Sequence, residues 1–318
     1  MAELTFLITD IGDRAVHIGS VLSYELSMDS DVPCHGLRLY FTYYEPLPEL
    51  YGIEVYHNGK RIFNGYVDTQ REVQDGNGII CFVYARSSAC LLVDNQAKPY
   101  TYYNPCTKAL FLMNAEKYGF TYDLPNITCD SEYLVSGGKS RYAAINDFVF
   151  GMTGKNIAVT ADNCITMARG GAQRRIHPQD IISARRVINR GDVLCAVDYK
   201  NGDGRDYINH FKSRYFEKKR ICSSKKQNLG DLPEWQKNYV LQNTLASAAA
   251  NYLYFEIKLV GIWQGEPGDV VTEGLDSFGD CGALSVASVR YAMRDDGLST
   301  VLVLRENIDL EEIDYVAE

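Results

Sequence analysis

Apolar and polar positions alternate with period two through most of residues 1–95, and no helical spacing interrupts them. Leu4-Thr5-Phe6-Leu7-Ile8 and Val21 to Met28 read as strands. Gly52 to His57 and Lys60 to Phe63 flank Asn58-Gly59, a two-residue hairpin signal because both positions accept a positive φ. Tyr66 to Val73 and Ile79 to Ala85 flank the turn-rich Asp75-Gly76-Asn77-Gly78, which completes a meander. About five strands without a helix predict a small closed or nearly closed barrel.

The period changes after Asn104-Pro105. Leu110, Phe111, Met113, Asn114 and Tyr118 fall at helical spacing within Thr107 to Tyr118, and Gly119 follows as a C-cap. A second helix is predicted from Arg141 to Thr153, with Ser140 as N-cap and Gly154 as terminator. Ile157 to Thr160 and Cys164 to Met167 bracket Ala161-Asp162-Asn163 as a hairpin, and Arg169-Gly170-Gly171 reads as a hinge. Residues 96–177 thus read as a small α+β domain.

Strands return over residues 178–318. Ala184 to Asn189, Leu194 to Tyr199 and Tyr207 to Phe211 come first. A helix near 231–250 follows, with Asp231 as cap, Pro233 in its first turn and Glu234 three residues on. Leu253 to Leu259 alternates cleanly, and Ala283 to Met293 pairs with Leu298 to Leu304 around Asp295-Asp296-Gly297. The expected fold is mainly β: two related β-barrel domains, 1–95 and 178–318, flanking the α+β domain 96–177.

The net charge of −9 argues against a protein whose main task is gripping nucleic acid, which needs a positive field. No apolar run approaches the roughly 20 residues that span a bilayer, and Met1-Ala2-Glu3-Leu4 lacks the basic and apolar regions of a signal peptide. The expected place of synthesis is therefore the cytosol. The 9 cysteines include no C-x-x-C pair, so scattered reduced thiols are expected rather than a metal or redox site. The 23 tyrosines suit both β-sheets and protein interfaces.

Compact catalytic signatures are missing from the sequence: no G-x-S-x-G, no H-E-x-x-H and no phosphate loop. His17, His35, His57, His177 and His210 are dispersed, and none is expected to be catalytic. Asn201 to Asp206 lacks the closing glutamate and the spacing of a calcium loop. Lys212, Arg214, Lys218, Lys219, Arg220, Lys225 and Lys226 form a basic run, read either as a docking surface for an acidic partner or as a solvated loop. Glu306, Asp309, Glu311, Glu312, Asp314 and Glu318 make the C-terminus acidic, fit to clamp a neighbouring subunit or to fray. The expectation is no enzyme, no cofactor and no metal.

Val83-Tyr84-Ala85-Arg86-Ser87, the leucine-rich turn Cys90-Leu91-Leu92-Val93, Asp94-Asn95-Gln96-Ala97 and Pro99-Tyr100 to Asn104-Pro105 together resemble the domain junction of contractile-tail baseplate hub proteins. Trp235 to Ala250 followed by Tyr254 to Lys258, Gly265 to Val271, and Ser288 to Met293 with Thr300 to Arg305 are similar to further segments of that family in the same order. The Lys212 to Lys226 region is a poorer match. The resemblance implies a homotrimer with two related barrels per chain, a ring that adapts a sixfold tail tube to a threefold central spike. Tape-measure and baseplate wedge proteins would be its other partners. It would assemble in the cytoplasm and end in the baseplate of a phage or a tail-like bacteriocin. A tail-associated cell-wall hydrolase and a carbohydrate-binding receptor module are the alternatives.

Overall fold

In the computed structural model, the described residues are 4–43, 46–75, 78–168, 171–202, 206–230, 232–279, 281–306 and 315–317. The first part holds strands β1 (Leu4–Asp10), β2 (Ala15–Val16), β3 (Val21–Asp29), β4 (Gly36–Thr42), β5 (Leu50–His57), β6 (Lys60–Asp75) and β7 (Gly78–Ser87). A middle unit follows: α1 (Cys90–Val93), β8 (Tyr100–Tyr103), α2 (Thr107–Asn114), β9 (Thr121–Asp123), β10 (Glu132–Val135), α3 (Arg141–Thr153), β11 (Ile157–Val159) and β12 (Cys164–Met167). Next come β13 (Gln173–Arg175), β14 (Ile181–Ile188), β15 (Ala196–Lys200), β16 (Asn209–Ser213), α4 (Arg214–Lys218), β17 (Ser224–Asn228) and α5 (Glu234–Ala249). The chain ends with β18 (Leu253–Val260), β19 (Val270–Glu273), β20 (Leu284–Arg294), β21 (Gly297–Glu306) and β22 (Tyr315–Ala317).

The protein is mostly β, and the two ends of the chain share one 13-stranded sheet. Within it lie two related units. The first runs β3-β4-β7-β6-β5-β1 and the second runs β14-β18-β21-β20-β19-β13, the same order strand for strand when β2 is set aside. Both units carry their irregularities at matching places. The β6–β7 ladder runs out to Asp75↔Gly78, and the β20–β21 ladder to Arg294↔Gly297. The bulge residues Asp68 and Ala287 lie seven residues before Asp75 and Arg294, the last paired residues of β6 and β20. A second matched pair of bulges falls at Leu22, where β3 meets β4, and at Ile182, where β14 meets β18. Bulges re-aim a strand and fix its register, so their repetition marks one architecture built twice. One difference is clear: β1 joins β5 antiparallel, whereas β13 joins β19 parallel.

The two units are fused by β20 pairing antiparallel with β3, from Ser288↔Asp29 to Met293↔Tyr24. Val289 against Met28 and Tyr291 against Leu26 lie on the inward face of this joint, and all four are buried. One hydrophobic core runs through both units, from Leu4 and Ile8 to Leu302 and Leu304.

The middle unit has its own core, centred on Tyr133, Phe148, Leu110 and Ile165. α3 begins and ends where its sequence predicts. Ser140 Oγ accepts the Ala143 N–H at 3.1 Å, and Gly154 closes the helix at φ 69°. α2 is shorter than its spacing suggests, because a 3-10 turn at Glu116–Tyr118 intervenes before Gly119. A further unit is inserted between β14 and β18. Its β17-β15-β16 sheet, joined at the edge by the C-terminal β22, packs with α5 around Val197, Phe211, Leu241 and Leu245, while Phe216 of α4 packs with Val193, Cys195 and Tyr252. The helix expected near 231–250 starts at Glu234 behind Pro233, and Asp231 lies outside the described residues.

Candidate interaction surfaces

The junction segment earns its sequence pattern by bracing three elements together. Arg86 at the end of β7 holds Asp68 of β6 through Nε and Asp94 beyond α1 through Nη2, the latter at 2.7 Å. This guanidinium keeps the Asp94 carboxyl below its ordinary value of 3.8. Ser88 Oγ donates to Asn163 Oδ1, and Asn64 Nδ2 donates to the same oxygen at 3.2 Å. Arg61 reaches Asp162 at 2.6 Å, so the β11–β12 turn is tied to the first sheet unit. Gly171, the expected hinge, is instead packed tight: a Cβ there would meet backbone of Gly268 and Asp269 at 2.2 Å. Arg169 and Gly170 lie outside the described residues.

The histidines are scattered over the surface of both sheet units and the insert. His17, on the loop before β3, and His177, at the N-terminus of the short Pro178–Asp180 turn, are exposed, while His57 Nε2 lies 3.4 Å from Asn58. His35 is pushed down to about 4 by burial, with Nδ1 sealed from solvent. His210 Nδ1 lies 2.7 Å from Asp198 Oδ1, and Ser224 Oγ donates to Asp198 Oδ2 at 3.0 Å. Sequence gave no hint of this grouping, since the three residues come together only through the β15–β16 and β15–β17 ladders. Its order is Ser–Asp–His, with the carboxylate in the middle. A nucleophile needs the imidazole as its neighbour, so the group braces a sheet rather than activating Ser224. Among the described residues, no cluster of three His, Cys, Asp or Glu side chains is placed to hold a metal ion. All 9 cysteines are free thiols, and a hydrogen bond from Cys90 pulls Cys34 down to about 7. An open cleft of about 220 Å³, lined by Arg186 and Ile188 of β14, Lys219, Tyr252, and Leu253 and Phe255 of β18, is smaller than ordinary ligand pockets.

The basic run is a folded element, not a loop. It occupies the end of β16, α4 and β17, with Lys219 Nζ 4.6 Å from the Tyr215 ring and 5.1 Å from that of Tyr252. β22 comes back along β16 through Lys212↔Val316, so the end of the acidic segment clamps its own chain. Residues 307–314 lie outside the described residues, as do Asp203, Gly204 and Arg205 of the loop resembling a calcium site.

Among the described residues, the outer edges of β14 and of the far half of β6 are two that no strand covers. β14 has β18 on one side and no strand on the other among the described residues. β6 pairs with β5 only through Tyr66; from Val67 onward β7 covers its first edge and, among the described residues, no strand pairs with the second, where side-chain bonds tie Gln70 to Pro48 and Leu50 and Glu72 to Tyr43. Val73, Ile182 and Ile188 on these edges are 61%, 53% and 52% exposed.

No family model and no curated protein sequence matches the chain. Solved structures do. A tail protein from Neisseria meningitidis MC58 matches with a TM-score of 0.75 at 15% identity, over 98% of this chain and 99% of that one. The 43 kDa tail protein of prophage MuSo2 from Shewanella oneidensis matches with a TM-score of 0.73 at 12% identity, over 98% and 100%. The E. coli c3393 protein, a type VI secretion system component described as structurally similar to T4 tail proteins gp27 and gp5, matches at 0.58 and 8% identity, over 97% and 78%. The chain therefore has the fold of these tail proteins.

Proposed function

We propose that this chain is a structural subunit of the baseplate hub of a contractile tail or tail-like particle. Three copies would form a ring that adapts a sixfold tail tube to a threefold central spike. The observation that carries the reading is the doubled sheet unit, with the same strand order and two bulges repeated within one chain that has the fold of tail proteins. Three chains with two like units each present six like units, the number a sixfold tube requires, while the chain itself keeps threefold symmetry for the spike. The spike, tube, tape-measure and wedge proteins are the partners of such a ring, and its place is the baseplate after assembly in the cytoplasm. The role needs geometry and no bond chemistry, in keeping with the Ser224–Asp198–His210 order.

Mass photometry of the purified chain, alone and with the spike protein encoded beside it, tests the reading. A trimer in at least one condition is expected. A monomer in both, or a dimer in the assembled particle, overturns it.

A further inference from the structure

We propose that copies of this chain join by strand addition: the open edge of β6, residues 69–74, pairs antiparallel with the open edge of β14 of a second copy. This rests on the ring reading and specifies its joint. The fold supplies both partner and register. In the second unit, the strand equivalent to β6 is β20, and its outer edge is covered by β3 of the first unit. The strand equivalent to β3 is β14. One copy of the β20–β3 joint is thus made inside the chain, and both halves of a second copy are left open on opposite ends of the same molecule.

Matching the bulges transfers the register. Asp68 corresponds to Ala287, and Ile182 corresponds to Leu22. Tyr291↔Leu26 then becomes Glu72↔Arg186, and Ala292↔Glu25 becomes Val73↔Arg185. Val289↔Met28 becomes Gln70↔Ile188. Opposite charges face each other at the centre, a favourable cross-strand pair, and two exposed apolar side chains, Val73 and Ile188, gain cover. Such a contact is head-to-tail, so it propagates in one sense and closes into a ring when the rotation permits. Two open edges are then paired with each other, which is one way sheets avoid uncontrolled pairing.

The test uses the full chain carrying Val73→Cys and Arg185→Cys, two exposed positions that would lie directly opposite across the joint. Opposed residues of an antiparallel pair have Cα atoms about 4.5–5.5 Å apart, within disulfide reach. Mild oxidation at high protein concentration, followed by peptide mass spectrometry, should give the 73–185 cross-linked peptide between chains. Neither single variant should give it. Glu72→Arg or Arg186→Glu alone should weaken self-association about fivefold per joint, and the two together should restore it. Oligomers that form without the 73–185 cross-link overturn the joint and leave the ring standing. A chain that does not self-associate at any concentration also overturns the joint, while the mass photometry with spike decides the ring separately.

Discussion

Arg86 lies between two carboxylates, and its neighbours decide what its loss would do. It is 29% exposed, Asp68 28% and Asp94 50%, so solvent screens the pairs and only part of their strength reaches stability. Arg86→Ala should cost about 1–2 kcal/mol in urea unfolding, because two charge-assisted bonds go at once, and Arg86→Lys should not rescue it because one ammonium cannot serve both acceptors in forked geometry. The pH dependence follows from Asp94, whose carboxyl is held below 3.8 by the guanidinium. A depressed carboxylate contributes stability that is complete above its unfolded value and is lost as pH falls through the folded one. The gap between wild type and Arg86→Ala should therefore be constant near neutrality and close in acid below that value. If it widened on acidification, the pair would not be the cause. Gly65 offers a sharper case on the same hairpin. A Cβ there would stand 2.1 Å from the Arg86 carbonyl oxygen, so Gly65→Ala should force β6 off β7 and cost about 1–3 kcal/mol, read as a drop in melting temperature.

At the scale of elements, α5 joins the insert to the middle unit, and the joint depends on a missing side chain. Trp235 lies against Gly151 of α3, where a Cβ would come within 2.7 Å of its ring. The indole sits 5.8 Å from the Tyr133 ring and 6.2 Å from Phe148, and its Nε1 donates to the Glu132 carbonyl. Tyr239 Oη donates to Asp147 at 2.8 Å one turn on. Gly151→Val should lever the helix away while leaving both cores whole. Limited proteolysis should then open residues 189–252 first, at a stability cost of about 1–3 kcal/mol. Uniform melting without early cleavage there would contradict this. The parts legible in the sequence were those whose signal is local. Ser140 and Gly154 bounded α3, Asn58-Gly59 set a turn with both φ positive, and Leu253 to Leu259 alternated as observed. β4 carries the same period-two signal, with Leu37, Leu39 and Phe41 buried, yet it pairs with β3 and β7 through no tight turn and escapes a search for hairpins. β6 reads as two strands because the Asn64-Gly65 step looks like a break, while the ladders with β5 and β7 carry it through as one. The Ser224–Asp198–His210 contact and the open edges depend on strand order, which no local pattern encodes.

The whole molecule explains why its two related units carry different residues on equivalent strands. β20 presents Val289, Tyr291 and Met293 inward at its joint with β3, where they are covered for good. β6 presents Gln70, Glu72 and Gln74 at the matching positions, and Glu72 and Gln74 are exposed. The same backbone thus carries opposite chemistries, because one joint forms during folding and the other must wait for a second chain. Polar and charged residues on an open edge keep it from pairing indiscriminately before assembly. That argument makes a directional prediction. Gln70→Val, Glu72→Tyr and Gln74→Met together give β6 the inward face of β20, so the triple variant should self-associate without any spike protein, and at lower concentration than wild type. With Val73→Cys and Arg185→Cys added, its associated form should give the 73–185 cross-link and lose it when β14 is blocked by Arg186→Pro, since proline removes the outward donor at the equivalent of Leu26, which faces β20. Light scattering across a dilution series reads the first effect and peptide mass spectrometry the second. A triple variant that stays as dispersed as wild type would mean that the exposed edge of β6 does not carry the contact between chains.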